Sequence, residues 1–146
     1  NDPFCRSCFI GMTMDTTRED MTQAVLEGVA FGIRDSLEEI KGLGIDVKRS
    51  MISGGGMKSP LWRKIFANVL GITLTIPETE QGPGYGGAIL AAVACGEYSS
   101  VQEACDRLIS TTSEVTPDKD LTILYEKRYR TFRKLYPALK DIFPEL

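Results

Sequence analysis

Apolar residues recur every three or four positions between residues 21 and 40, which predicts one long amphipathic helix. Thr16 and Glu19 precede it with the spacing of a capping box, in which each side chain satisfies backbone N–H groups of the first turn. We expect the helix to end near residues 42–44, where two glycines follow closely. Two more glycines lie inside it, Gly28 and Gly32. Because glycine destabilises a helix by about 1 kcal/mol relative to alanine, the presence of these two glycines indicates that another backbone packs closely against them.

Short apolar runs and further helical spacing alternate along the rest of the chain. We expect strands at residues 8–14, 47–52 and 72–76. We expect helices at residues 61–70, ended by Gly71, and at 84–98, 101–108 and 121–136. Small apolar residues dominate 84–98, so that helix is expected to be almost fully buried, whereas 110–118 is polar. Ser100 and Glu103 predict a second capping box.

This alternation predicts an α/β layered domain. The 146 residues contain no repeat, low-complexity run or internal linker, so we interpret residues 1–146 as one domain. The chain begins at Asn1 rather than at Met, which favours a piece of a longer protein. No apolar run is long enough to span a membrane, and no signal peptide is recognisable.

Charge and cysteine content narrow the function classes. A net charge of −3 and a pI near 5.1 argue against a nucleic-acid or anionic-membrane surface, which needs a basic patch. The four cysteines are at positions 5, 8, 95 and 105, and there is no histidine. Cys5 and Cys8 form a single C-x-x-C, while the other two lie among small apolar residues expected on buried helix faces. Free thiols in a reducing cytoplasm are therefore favoured over a metal or redox site.

A glycine-rich loop is the strongest candidate for chemistry. Gly54, Gly55 and Gly56 follow the predicted strand 47–52 and precede the predicted helix 61–70. Glycines let a backbone approach a phosphate, and the N-terminal N–H groups of a helix attract anions. Neither the Walker A motif nor G-x-G-x-x-G fits these residues. From the pattern alone, a phosphate site and a simple tight turn are equally favoured.

Ser59 and Pro60 predict how the following helix begins. Serine is a favoured N-cap residue, and proline is favoured at the first helical position because its missing N–H would be unpaired there anyway. This pair therefore has a structural role whether or not the loop binds a ligand.

Three blocks of sequence resemble FGGY-type carbohydrate kinases, and the tail resembles the xylulokinase branch of that family. The first block is "SCFIGM" at 7–12 with "DMTQAVLE" at 20–27, and the second is "SGGGMKSPLWRKIFANVLG" at 53–71. The third runs from Glu80 through "GYGGAILA" at 84–91, and the tail is "LYEKRYRTFRKLYPALKDIF" at 124–143. Together they cover nearly the whole chain.

The resemblance implies the actin-like ATPase (ribonuclease H-like) fold and the C-terminal part of a two-domain sugar kinase. It implies that Gly54, Gly55 and Gly56 lie against the α-phosphate and ribose of ATP or ADP, with Ser59 near the adenine. Mg²⁺ would accompany the nucleotide in the intact enzyme. The catalytic base and most sugar-binding residues would lie upstream, in a missing N-terminal kinase domain, so no catalytic residue is assigned here.

Two hypotheses remain open at this point. In the first, the chain is the nucleotide-binding part of a cytoplasmic kinase for a pentulose, most closely D-xylulose, with glycerol, gluconate and ribulose as alternative substrates. In the second, it is a self-sufficient binding or assembly module without catalysis. The first also implies that the isolated chain exposes apolar surface and self-associates, and a homodimer is a possible state of the protein.

Overall fold

The computed structural model describes residues 2–78 and 82–146 and has a mixed α/β architecture. Its helices are α1 (Arg18–Gly42), α2 (Pro60–Leu70), α3 (Gly82–Ala94), α4 (Val101–Leu108), α5 (Lys119–Phe132) and α6 (Leu135–Leu139). Its strands are β1 (Arg49–Met51), β2 (Thr73–Pro77) and β3 (Thr111–Val115). Short 3₁₀ helices cover Gly55–Lys58 and Phe143–Glu145. No helix in the described ranges is both long enough and apolar enough to cross a membrane.

The three strands form one sheet in the order β1-β2-β3. β1 and β2 are parallel, with Ser50 opposite Leu74, because α2 connects them and returns the chain to the same end of the sheet. β2 and β3 are antiparallel, with Leu74 opposite Val115. The pairing is irregular at Pro77, which lacks an N–H to donate.

Helix α2 is the centre of the core. Its last six residues are all buried, and it contacts α1, α5 and strands β2 and β3. The largest fully buried side chains are Val69 on α2 and Leu74 on β2. Asn68 is a buried polar residue of α2, and its Oδ1 accepts a 2.8 Å hydrogen bond from the backbone N–H of Asp118, the N-cap of α5. That bond fixes the start of α5 against α2.

The predicted helix starts and ends are largely confirmed. α1 ends at Gly42, and Gly71 ends α2 with a φ of +66°, a conformation that glycine adopts without strain. The capping box of α1, however, is one residue later than predicted: Thr17 and Asp20 form it, with Thr17 Oγ1 accepting from the N–H of Asp20.

One strand prediction is wrong, and one strand of the structure was not predicted. Residues 8–14 form no strand and are exposed. The polar stretch 110–118, by contrast, contains β3, which no apolar alternation had indicated. In both places, pairing with a distant segment decided the outcome: β3 has β2 beside it, whereas the sheet of the described residues does not include 8–14.

Two burial predictions and one helix end also need correction. α3 forms, but Ile89 is its only buried residue among those described, and the neighbouring Cys95 is exposed. Cβ atoms at Gly28 and Gly32 would meet nothing within 4 Å among residues 2–78 and 82–146, so no backbone in those ranges approaches closely there. The predicted helix 121–136 is divided into α5 and α6, and Pro137 is accommodated in the first turn of α6.

Candidate functional site

The glycine loop connects the carboxyl end of β1 to the N-terminus of α2. The N–H of Ile52, just after β1, still donates to the carbonyl of Thr75 at 3.1 Å. The chain then turns at Gly54, whose φ of +108° and ψ of 161° are accessible to glycine but strained for other residues. A single turn of 3₁₀ helix, Gly55–Lys58, leads into α2. In open α/β sheets, ligands bind beside the carboxyl ends of parallel strands, which is where this loop lies.

Hydrogen bonds within the loop give it a defined shape. The N–H of Met57 donates to the carbonyl of Gly54 at 3.0 Å, and the N–H of Ser59 donates to the carbonyl of Gly56 at 3.2 Å. The guanidinium Nε of Arg63, in the first turn of α2, donates to the carbonyl of Met57. The loop is therefore bonded both to itself and to the helix that follows it.

Ser59 is the N-cap of α2, as the sequence predicted. Its Oγ accepts a 3.3 Å hydrogen bond from the N–H of Trp62, and Pro60 occupies the first helical position. α2 extends over 11 residues, so its aligned peptide dipoles leave a partial positive charge at this end. The loop and the helix N-terminus together provide a surface suited to an anion.

The structure requires glycine at two of the three consecutive positions, for different reasons. Gly54 has the positive φ. A Cβ at Gly56 would lie 2.1 Å from Cζ3 of Trp62, so a side chain there would collide with the indole ring. A Cβ at Gly55 would meet no atom of the described residues within 4 Å, and its φ is not positive. The space in front of Gly55 is thus open to a ligand.

The structure brings the four predicted site residues together in one loop. Gly54, Gly55 and Ser59 are exposed and Gly56 is half-buried. Nucleotide contact at these four positions stays a prediction. Sequence reasoning missed the roles of Trp62 and Arg63, which it assigned only to the helix. The position of Trp62 and Arg63 in the first turn after the N-cap, within reach of the loop, could have indicated these roles.

A small cavity of about 180 Å³ lies beside the loop and was not predicted. Its lining includes Ser53 at the end of β1, Pro77 at the end of β2, and Tyr85 at the start of α3. The phenol of Tyr85 donates a 2.6 Å hydrogen bond to the carbonyl of Leu108, which joins α3 to the end of α4. Glu80, which precedes this region in the third resembling block, lies outside the described residues.

Two aspartates of α1, Asp20 and Asp35, have structural roles. Asp20 belongs to the α1 capping box, where hydrogen bonds from the backbone N–H and then the hydroxyl of Thr17 lower its pKa. Asp35 accepts a 2.5 Å hydrogen bond from the phenol of Tyr129. Within residues 2–78 and 82–146, no three His, Cys, Asp or Glu side chains form a group that could hold a metal ion. The described site can therefore orient an anionic ligand, and it presents no acid–base pair at the loop.

Known proteins with similar sequences are sugar kinases. Residues 1–95 match the model of the FGGY family of carbohydrate kinases, C-terminal domain. The chain is 32% identical over 136 residues to a xylulose kinase of Staphylococcus xylosus, covering 93% of this chain and 28% of that protein. It is 36% identical over 128 residues to a ribulokinase of Mycolicibacterium smegmatis, covering 87% of this chain and 23% of that protein.

A solved structure supports the same relationship. The crystal structure of xylulose kinase from Rhodospirillum rubrum superposes with a TM-score of 0.83 at 30% identity, over 97% of this chain and 29% of that one. The predicted actin-like ATPase fold is thereby confirmed. The chain spans between 23% and 29% of the length of these relatives. On the family match and this shared fold, the chain belongs to the FGGY family of carbohydrate kinases, with residues 1–95 matching the C-terminal domain of that family.

Proposed function

We propose that this chain is the nucleotide-binding part of an ATP-dependent sugar kinase that phosphorylates a pentulose, most closely D-xylulose to D-xylulose 5-phosphate. The observation that carries the proposal is the glycine loop. It combines an open backbone at Gly55 with the N-terminus of α2 at the carboxyl end of a parallel strand. That combination suits a phosphate chain.

In the proposed site, each residue of the loop has a distinct task. Gly54 provides the turn, and Gly55 lets the backbone approach the α-phosphate and ribose of ATP or ADP. Gly56 continues that backbone into the 3₁₀ turn. Ser59 lies near the adenine; since its Oγ already accepts from Trp62, its hydroxyl hydrogen and one remaining lone pair are available to the base.

The reaction itself requires groups from the rest of the enzyme. An upstream aspartate would take the proton of a sugar hydroxyl. The sugar oxygen would then bond to the γ-phosphorus of ATP as the bond to the bridging oxygen of ADP breaks. Mg²⁺ would neutralise phosphate charge, and we assign it no ligand in this chain because the described residues offer no suitable carboxylate group. This segment contributes binding and orientation of the nucleotide.

The surface formed by α1 and β1 is the proposed docking place for the rest of the kinase. Within the described ranges, β1 is an edge strand, and Val25, Val29 and Ile33 of α1 are about half exposed. An apolar hollow of about 590 Å³ lies between α1, β1 and α2. Because more than two thirds of each relative's length lies outside the match, we propose that upstream segments of the same polypeptide cover this surface. On this proposal, residues 1–146 are one C-terminal unit of a longer, two-domain chain.

The cellular location follows from the same proposal. Cytoplasm is where ATP is available to such a kinase. The four cysteines are free thiols in the structure, as expected of a protein in a reducing compartment.

Ribulose is the second candidate substrate, because the ribulokinase of Mycolicibacterium smegmatis is 36% identical over 128 residues. Gluconate and glycerol are further family substrates to include in any assay. A nucleotide-binding or assembly module without catalysis is the alternative from another functional class.

A two-part experiment tests the proposal. ADP is titrated into the full-length protein by calorimetry, and the protein is then assayed with ATP and a panel of D-xylulose, D- and L-ribulose, gluconate and glycerol. Binding of ADP with phosphorylation of D-xylulose supports the proposal. Preference for a ribulose changes the substrate assignment only. ADP binding without turnover of any sugar favours the binding module, and absence of ADP binding overturns the nucleotide site.

A further inference from the structure

The indole ring of Trp62 lies directly beneath the glycine loop. A Cβ at Gly56 would be 2.1 Å from Cζ3, 2.6 Å from Cε3 and 3.1 Å from Cη2 of that ring. All three atoms belong to the six-membered part of the indole, so the loop backbone lies against its face or edge at van der Waals distance. The lack of a side chain at Gly56 is therefore explained by a residue of the protein, whereas that at Gly55 is not.

Trp62 is held in place from its other side by α1. Its indole Nε1 donates a 3.2 Å hydrogen bond to the carbonyl oxygen of Leu26. Its ring also packs against Phe66, one turn further along α2, with centroids 5.6 Å apart. Moving the indole away from Gly56 would break this hydrogen bond or disturb the packing on a core residue. The hydrogen bond to α1 therefore fixes the position of the indole, and the indole in turn fixes the position of Gly56 relative to α2.

Arg63 provides an independent contact to the same loop. Its side-chain Nε donates to the carbonyl of Met57, the residue that follows Gly56. Two adjacent residues of the first turn of α2 thus hold two adjacent residues of the loop. Neither contact uses the open side of Gly55.

We propose that Trp62 is a positioning residue for nucleotide binding: it supports Gly56 from below and fixes the loop relative to α1 through Leu26. This inference rests on the proposed nucleotide function. A loop whose backbone is already in its binding conformation loses less conformational freedom when the phosphate arrives, which strengthens binding. Trp62 itself does not touch the nucleotide.

The test is a double-mutant cycle in the full-length kinase. The variants are Gly56→Ala, Trp62→Leu and the double variant, and the measurement is the Kd for ADP by calorimetry. Leucine lacks the three ring atoms that a Cβ at position 56 would meet. We expect the double variant to bind ADP about tenfold more tightly than Gly56→Ala alone, a coupling typical of residues in contact.

The outcomes separate this inference from the function on which it rests. If Gly56→Ala and the double variant bind ADP with equally weak affinity, the side chain at position 56 obstructs the ligand and does not act through the indole. In that case the inference fails, but the nucleotide site stands. If the wild type does not bind ADP, the proposed function itself fails.

Steady-state kinetics distinguish positioning from a general loss of structure. We expect Trp62→Leu to raise the KM for ATP by about tenfold and to change kcat and the KM for the sugar by less than about twofold. Trp62→Phe, which retains an aromatic ring but lacks the indole N–H, is expected to be intermediate. Equal changes in both KM values would overturn the inference. If Gly56→Ala does not fold, the KM values for ATP decide the question. The inference predicts that this KM increases from wild type to Trp62→Phe to Trp62→Leu, and the absence of that order refutes the inference.

Discussion

The phenol of Tyr125 on α5 donates a 2.9 Å hydrogen bond to Oε1 of Glu27 on α1, joining residues 98 positions apart. The same buried carboxylate accepts from Nη1 of Arg128 at 3.1 and 3.0 Å and from Nε2 of Gln23 at 2.9 Å. Glu27 is only 8% exposed, so nearly all its hydrogen-bonding capacity is met by protein groups. Glu27 thus joins α1 to α5, as do the contacts of Arg34 with Glu126 and of Tyr129 with Asp35.

Replacing Glu27 by alanine should lower the free energy of unfolding by about 2–4 kcal/mol, because it removes the charge-assisted bonds from Arg128 and the hydrogen bond from the buried Tyr125 hydroxyl. Urea unfolding followed by circular dichroism measures the change. Glu39→Ala is the matched control, since Glu39 is an exposed glutamate on the same helix. Its effect is expected within about 0.5 kcal/mol. Equal losses in the two variants would contradict the assigned role of Glu27.

The two buried tyrosines of α5 predict a loss of stability at high pH. Burial, followed by the hydrogen bond and charge of Glu27, raises the pKa of Tyr125 to about 12. Burial and Asp35 likewise raise the pKa of Tyr129 to about 12. In the unfolded chain tyrosine titrates near pH 10. Between about pH 10 and 12 the unfolded state therefore binds fewer protons than the folded state, and stability falls as pH rises.

The variant Tyr125→Phe measures how much Tyr125 contributes to the loss of stability at high pH. The stabilisation is fully present below pH 10, and each tyrosine contributes at most about 3 kcal/mol to the decline, since one pKa unit corresponds to about 1.4 kcal/mol. We expect the variant, measured by urea unfolding at several pH values, to have a shallower slope between pH 10 and 12. A slope identical to that of wild type would show that Tyr125 titrates normally.

Gly55→Val should weaken ADP binding about tenfold or more in the full-length protein, because valine would fill the open space in front of the loop. Calorimetric titration gives the Kd. Gly42→Val is the control: its Cβ would also meet nothing within 4 Å, but Gly42 ends α1 and is not part of the loop. Unchanged affinity in Gly55→Val would remove Gly55 from the nucleotide site.

The 146-residue chain alone should have no kinase activity, since the proposed catalytic aspartate and sugar-binding residues lie upstream of it. A coupled assay for ADP release with ATP, Mg²⁺ and D-xylulose tests this, with the full-length protein as the positive control. Sugar-dependent turnover by the chain alone would defeat the prediction and require a catalytic base within these residues.

The isolated chain should self-associate at high concentration through the exposed apolar face of α1, defined by Val25, Val29 and Ile33. Sedimentation velocity over a concentration series reports the mass. Val29→Lys is expected to shift the chain towards monomer, whereas Glu39→Lys, at a polar position of the same helix, should not. A strictly monomeric wild-type chain at every concentration would contradict this expectation.

The sequence by itself determined the features that depend on neighbouring residues. Ser59 and Pro60 begin α2, and Gly71 ends it, because caps and turn conformations are decided by hydrogen bonds and φ angles within a few residues. The glycine loop and its four proposed ligand-contacting residues were located for the same reason. Local pattern indicated an α/β domain, and family resemblance supplied the actin-like ATPase fold and the kind of ligand.

Tertiary structure alone decided which surfaces are buried and which segments pair. The polar segment 111–115 became β3 because β2 lies beside it, and residues 8–14 stayed outside the described sheet despite their apolar character. α3 is mostly exposed although its residues are small and apolar. The reason for glycine at position 56 was equally hidden, since it depends on where the Trp62 ring lies and on its bond to Leu26 of another helix. Burial and pairing arise from contacts between distant parts of the chain, and no periodicity within one segment encodes its partner.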